Sequence, residues 1–256
     1  MNQPIRSFRV DHMSVHVFES NAALGQRAAD DLADILRQTV AEKGQAAVIL
    51  ATGNSQLSFM QALRVKTDLP WDKIILFHMD EYLGMSEQHP ASFARYIREK
   101  LVDHVRPKAF YPIRGDAPDV PAELARYRAL LAAHPADVCV LGIGENGHLA
   151  FNDPPADFET DAVIHIVNLD ERCRQQQVGE GHFPTLADVP TQAISLTIPA
   201  LLSASRLLCV VPEARKAPAV KAALEGPVSP DCPASILRTQ SHVTMYLDVD
   251  SAALLG

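Results

Sequence analysis

DVCVLGIGENGHLAFNDPP, residues 137–155, sends a short apolar run straight into a glycine-rich loop dense in polar chemistry. Val138, Cys139, Val140 and Leu141 suit a central strand of a parallel sheet, where both faces are covered and polar residues do not alternate in. Gly142, Gly144 and Gly147 then let the backbone take positive φ and come close to a ligand. Glu145, Asn146, His148, Asn152 and Asp153 follow within a few residues, and ligands of open α/β sheets sit at C-terminal strand ends. The three glycines match G-x-G-x-x-G, but a dinucleotide fingerprint needs a helix to open at once, and Pro154 and Pro155 stop one. The plainest alternative is a glycine-rich connection holding a satisfied histidine. Apolar Leu149, Ala150 and Phe151 beside the polar cluster favour instead a partly desolvated pocket, where acid–base groups can be tuned.

Two further strand ends carry polar residues of the same kind. Residues 47–50 read as an apolar strand, followed by Ala51, Thr52, Gly53, Asn54, Ser55 and a helix bearing Leu57, Phe59, Met60 and Leu63. Such a strand–loop–helix offers free backbone N–H groups and a favourable dipole to a phosphate, although it also reads as an ordinary capped turn. Residues 73–79 form another strand, with Asp80 and Glu81 at its end, where a carboxylate serves either as a base or as a turn cap. Lys216 stands near the start of an amphipathic helix that runs to Leu224, where it would meet a phosphate or merely face water.

The remaining elements alternate. A strand at 13–18 leads to a helix capped at Asn21 and ended by Gly44; helices at 92–105 and 121–133 flank a strand at 110–113. Strands at 162–169, 193–198, 206–211 and 243–247 follow, with short helices at 170–177, 198–204 and 234–238. Residues 175–183 are polar and glycine-bearing, either a lid or a surface loop. This order predicts one α/β domain spanning 1–256, a mostly parallel Rossmann-like sheet with helices on both faces. The ends after Leu50, Met79 and Leu141 then share one edge of the sheet and converge on one pocket.

Composition narrows the function. With 256 residues and 47% hydrophobic content the chain can bury a large core, and a net charge of -8 argues against a nucleic-acid surface. Cys139, Cys173, Cys209 and Cys232 lack C-x-x-C spacing and read as reduced thiols of a cytoplasmic protein. No stretch has the length of a membrane span, and the N-terminal residues lack the apolar core of a signal peptide.

FHMDEYLGMSEQHPASF at 77–93 and LGIGENGHLAFNDP at 141–154, supported by ATGNS at 51–55 and ARKAPAVKAALEG at 214–226, resemble the glucosamine-6-phosphate deaminases. These stand within a wider group that includes the 6-phosphogluconolactonases, which resemble the chain in fold but not in the DEY or HLAFN segments. The resemblance implies a small-molecule sugar phosphate as substrate and no metal or organic cofactor. It makes Asp80 the base that carries a proton from C2 to C1, and His148 the acid and base of ring opening. Asn146 and Asp153 fall at the positions that orient the histidine. Thr52, Gly53, Asn54 and Ser55 correspond to the phosphate loop, Lys216 to the phosphate lysine, and Glu81 and Gly147 fall within the substrate-binding motifs. Some relatives carry an acidic residue at the Asn146 position and usually glutamate at the Asp153 position. An arginine that grips phosphate in the lid is replaced by the run from Val178 to Phe183, so either the lid points elsewhere or Arg172, Arg174 or His182 takes over. Galactosamine 6-phosphate, a sugar lactone, and non-catalytic sensing stand as alternatives, and a homo-oligomer stands beside a monomer.

Overall fold

The computed structural model describes residues 3–256, so the first two residues of the expected 1–256 domain lie outside it. In chain order its strands are β1 (Arg6–Val10), β2 (Met13–Phe18), β3 (Ala46–Leu50), β4 (Ile74–His78), β5 (Asp80–Tyr82), β6 (Ala109–Tyr111), β7 (Val138–Leu141), β8 (Ile164–Asn168), β9 (Gln192–Leu196), β10 (Arg206–Val211) and β11 (Val243–Asp248). The helices are α1 (Asn21–Lys43), α2 (Leu57–Arg64), α3 (Phe93–Ile97), α4 (Asp103–Val105), α5 (Val120–Ala133), α6 (Glu171–Gly179), α7 (Ile198–Leu202) and α8 (Ala217–Glu225). Eight strands form the main sheet in the order β1-β2-β11-β10-β7-β3-β4-β6, parallel throughout except for the β1–β2 pair.

Side-chain alternation along the central strands divides the interior into two layers. Val48, Leu50, Val138 and Val140 face α1 and α2, while Ile49, Cys139 and Leu141 face α8 and Tyr127 of α5. Helices therefore cover both faces, as the buried run at 138–141 predicts. All four cysteines are free, and Cys139, Cys173 and Cys209 are buried. Among the described residues no helix is long and apolar enough to cross a membrane.

Several local expectations change. Ser20, not Asn21, caps α1: its Oγ accepts from Ala23 N at 3.2 Å, while Asn21 Oδ1 accepts from Ser58 Oγ at 2.5 Å. Gly44 does end the helix, at φ 78°. The helix expected over 92–105 is interrupted by a π turn at Arg98–Val102, and the one at 234–238 is a 3₁₀ segment, Pro233–Thr239. β1 lies outside the strands that the sequence pattern predicts.

The larger correction concerns β5, β8 and β9. They leave the main sheet and form a three-stranded antiparallel sheet in the order β5-β9-β8. β8 alternates between better-buried and more exposed positions, the pattern of a sheet with one wet face, which a doubly covered parallel sheet does not admit. Met79 alone separates β4 from β5, and its carbonyl accepts from Leu196 N at 2.8 Å. Tyr82, Phe93, Phe151 and Phe183 pack with Cys173 into a separate apolar cluster in this part of the fold.

Candidate active site

The order β7-β3-β4 sets three C-terminal strand ends side by side, so the loops after Leu50, His78 and Leu141 meet in one cleft, as expected from the sequence. Thr52, Gly53, Ser55, Asp80, Gly142, Gly144 and His148 line it. Lys216, from the turn after β10, and Gln176, Gln177 and Glu180, at the end of α6, complete it. Residues 175–183 thus include a wall of the cleft rather than a loop remote from it.

Asp80 is 6% exposed at the crossing between the two sheets. Burial, reinforced by the adjacent Glu81 carboxyl, pushes its pKa well above the ordinary carboxylate range. Once ionised it is a stronger base than a solvated aspartate, which suits proton transfer at carbon. Glu81 behaves differently. It is 1% exposed and does not line the cleft; its carboxylate accepts from Tyr82 N, Ser92 Oγ, Phe93 N and Ala94 N at 2.7–3.2 Å. It satisfies the unpaired amides at the start of α3 rather than facing the cavity. Burial pushes the Glu81 pKa up to about 7 against the pull of these donors. His78, one strand position before the crossing, is a core group: burial takes its pKa down to about 3, and Nε2 accepts from Ile113 N at 2.8 Å.

A tight turn sets the position of His148. Gly144 N donates to His148 O and Gly147 N to Gly144 O, both at 3.0 Å, with Gly147 at φ 87°. The imidazole lies against Gly144 so closely that a Cβ there would collide with the ring. Asp153 Oδ1 is 3.1 Å from His148 Nδ1, in a geometry bent away from a straight hydrogen bond. Although Asp153 is buried, contact with His148 and the Asn146 amide hold its pKa below the usual value. Asn146 does not line the cleft; Nδ2 donates to Asp153 Oδ1 at 2.9 Å and to Asp170 Oδ2 at 3.0 Å, and Oδ1 accepts from His148 N at 3.1 Å. Gly147 also faces away, toward Cys232, and serves the turn.

At the other end of the cleft, Thr52 and Gly53 offer backbone amides with no acceptor among the described residues. Gly53 needs its glycine, since φ 96° is rarely open to other residues. Asn54 turns away from the cavity and donates to the Glu180 carbonyl at 3.1 Å. Lys216 is 3% exposed with no carboxylate within ion-pair distance among the described residues. Burial lowers its pKa, and the field of Glu180 acts in the opposite direction. A buried ammonium with no fixed counter-ion, beside free amides, is suited to an anionic ligand.

Sequence reasoning missed Arg215, whose guanidinium meets Glu180 at 2.6 Å, Glu213 at 2.6 Å and Glu145 at 3.2 Å. The signal was its place directly before Lys216 at a strand end. Of the substitutes considered for a lid arginine, Arg172 is exposed, Arg174 binds the carbonyls of Leu186 and Val189, and His182 pairs with Glu180 at 3.3 Å. His148, Asp153 and Cys173 bring three donor atoms within 4.8 Å of one another, a set able to hold a soft cation. Burial keeps the Cys173 thiol protonated, which weighs against that use.

The family described as glucosamine-6-phosphate isomerases/6-phosphogluconolactonase matches residues 19–246. A glucosamine-6-phosphate deaminase of Exiguobacterium sibiricum is 37% identical over 233 residues, 89% of this chain and 90% of that protein. The solved structure of a monomeric glucosamine-6-phosphate deaminase superposes with a TM-score of 0.86 at 33% identity, covering 94% of this chain and 99% of that one. A 6-phosphogluconolactonase from Shewanella baltica superposes at 0.77 with 21% identity, covering 94% and 100%, a likeness of fold.

Proposed function

Because this chain belongs to the glucosamine-6-phosphate isomerase/6-phosphogluconolactonase family, we propose that it converts glucosamine 6-phosphate into fructose 6-phosphate and ammonia. The observation that carries this reading is the meeting, in one cleft, of a buried carboxyl with raised proton affinity, a histidine with a carboxylate partner, and a buried ammonium lacking a counter-ion.

In this reading Lys216 and the amides of residues 52–55 take the phosphate. His148 moves a proton between the ring oxygen and the C1 hydroxyl to open the sugar, with Asp153 steadying the imidazolium. Asp80 removes the C2 proton and returns it to C1, leaving an imine at C2 that water hydrolyses to the ketone with release of ammonia. Asn146 positions Asp153, and Glu81 and Gly147 support the backbone that carries Asp80 and His148. The steps contain no net redox change and call on no cofactor. Both sheets contribute to the cleft, which supports treating the chain as one domain. Four free thiols support a cytoplasmic enzyme.

The test is ammonia release from glucosamine 6-phosphate, run beside its galactosamine epimer and an Asp80→Asn control. Release by the native protein that vanishes in the control establishes both reaction and base, and the epimer ratio sets the sugar. Absence of release from both sugars defeats the proposal, and turnover of a sugar lactone unaffected by Asp80→Asn would assign the hydrolytic reading. Sedimentation at working concentration decides between monomer and homo-oligomer.

A further inference from the structure

The cleft holds a carboxylate where its proposed ligand brings a second anion. Glu180 is buried, with its side chain 5% exposed, and it lines the cavity beside Gly53 and Lys216. Its Oε1 accepts from Arg215 Nη1 at 2.6 Å and from Gln176 Nε2 at 2.7 Å. Oε2 is 3.3 Å from His182 Nε2 and 3.6 Å from where a Cβ on Gly53 would lie. The Glu180 carbonyl accepts from Asn54, so both ends of the residue are tied to this part of the cleft. Despite its burial, these partners hold the carboxyl well below its usual pKa, so it is ionised at neutral pH.

Two observations favour a rearrangement when a ligand enters. The cavity volume is about 70 Å³, well below the roughly 300–1,000 Å³ of common small-molecule sites. Gly179 and Gly181 flank Glu180, and a Cβ on either would meet nothing within 4 Å, so the flanking backbone has room to turn. The segment is held by the Glu180 carboxylate and carbonyl and by backbone bonds from Glu180 N to Gln176 O, Gly181 N to Val178 O and His182 N to Gln177 O at 2.9–3.0 Å, with two glycines able to absorb a turn.

We propose that Glu180 is a tethered anion that occupies part of the anion subsite and is exchanged for the substrate's phosphoryl group. The phosphoryl oxygens replace its carboxylate as the partner of Arg215, and residues 179–182 turn outward as they enter while Phe183 stays in its apolar cluster. The inference rests on the phosphate reading above. It adds Arg215 as a cation released for the ligand and Glu180 as the residue that sets anion affinity. Ligands too weakly charged to displace the carboxylate are thereby excluded.

Inorganic phosphate is the probe, titrated by calorimetry into the native protein, Glu180→Gln, Arg215→Met and the double variant. Glu180→Gln is expected to bind phosphate at least about tenfold more tightly, because a like charge has gone. Arg215→Met should remove that gain in the double variant. In steady-state turnover, Glu180→Gln should lower KM by a similar factor with kcat much less affected, a split that a purely structural role would not give. Thermal melts confirm folding, with Glu180→Ala as a second variant. Phosphate binding no tighter in either Glu180 variant overturns the exchange. Adding Lys216→Met to Glu180→Gln separates the two readings. Phosphate binding that survives this change lies outside the proposed subsite and defeats the phosphate reading itself; binding that needs Lys216 but ignores Glu180 defeats only the exchange.

Discussion

Asp153 Oδ1 comes within 3.1 Å of His148 Nδ1, and the same oxygen accepts from the Asn146 amide at 2.9 Å. That amide also reaches Asp170 at 3.0 Å, so Asn146 joins two carboxylates that would otherwise repel across the loop. Asn146→Asp replaces a donor with a third carboxylate. It is expected to destabilise the fold by about 2 kcal/mol and to lower kcat. Urea unfolding and turnover at neutral pH check this; a higher kcat would show that charge at this position, rather than donation, limits the histidine.

Asp153→Asn keeps the shape of the contact and removes its charge. A kcat/KM about 10²-fold lower is expected, in the range of general acid–base contributions. Phosphate binding should not change, because Asp153 does not line the cleft.

Gly144→Ala puts a methyl group into the space of the His148 ring. The imidazole must shift, so kcat should fall by about tenfold or more while KM moves little. Native-like kcat would mean that the ring is free to work from another position.

As the proposed base, Asp80 would have to lose its proton before acting, and its pKa is raised by burial and by Glu81. The acid limb of kcat/KM should accordingly fall well above the ordinary carboxylate value of 3.8, with activity lost as pH drops through it. An acid limb at that ordinary value would assign proton abstraction to a solvated group instead.

Glu81 keeps its proton up to about pH 7 in the folded chain, against 4.5 for an unperturbed glutamate. Folded protein binds more protons between these values, so the contribution of this group is full below 4.5 and is lost as pH rises through 7. The stability advantage of the native protein over Glu81→Gln should be larger at pH 5 than at pH 8. Urea midpoints at the two pH values measure it, and a gap that widens with pH would reverse the assignment.

Lys216→Met should separate function from stability. Removing a buried charge without a fixed partner is expected to stabilise the fold by about 1 kcal/mol. KM for the sugar phosphate should rise by about 10- to 100-fold, the loss of a charge-assisted contact. A melting temperature below that of the native protein would mean that the ammonium has a stabilising role in the unliganded fold.

The buried run at 138–141 and the polar strand ends made the central sheet and the cleft legible in the sequence, because burial on both faces and glycine at a strand end leave local traces. The second sheet left a weaker trace. Period-two alternation at 162–169 specifies a strand but not its partner: β8 pairs with β9, whose other edge takes β5 from far away in the chain. Glu81 shows the same limit: two carboxylates in sequence look alike, and only the donors at the start of α3 turn one inward. Arg215 and Glu180 meet across 35 residues, a separation at which neither sequence neighbourhood announces the other.

Met79 is one residue wide, yet the chain passes there from the large sheet into the small one. The reactive groups are distributed across that border. The loops at 52–55 and 142–144 stand on one bank, the end of α6 on the other, and Asp80 at the ford. A substrate entering this cleft would touch side chains carried by both sheets, whose packing is continuous through Ile164, Ile194 and Leu196.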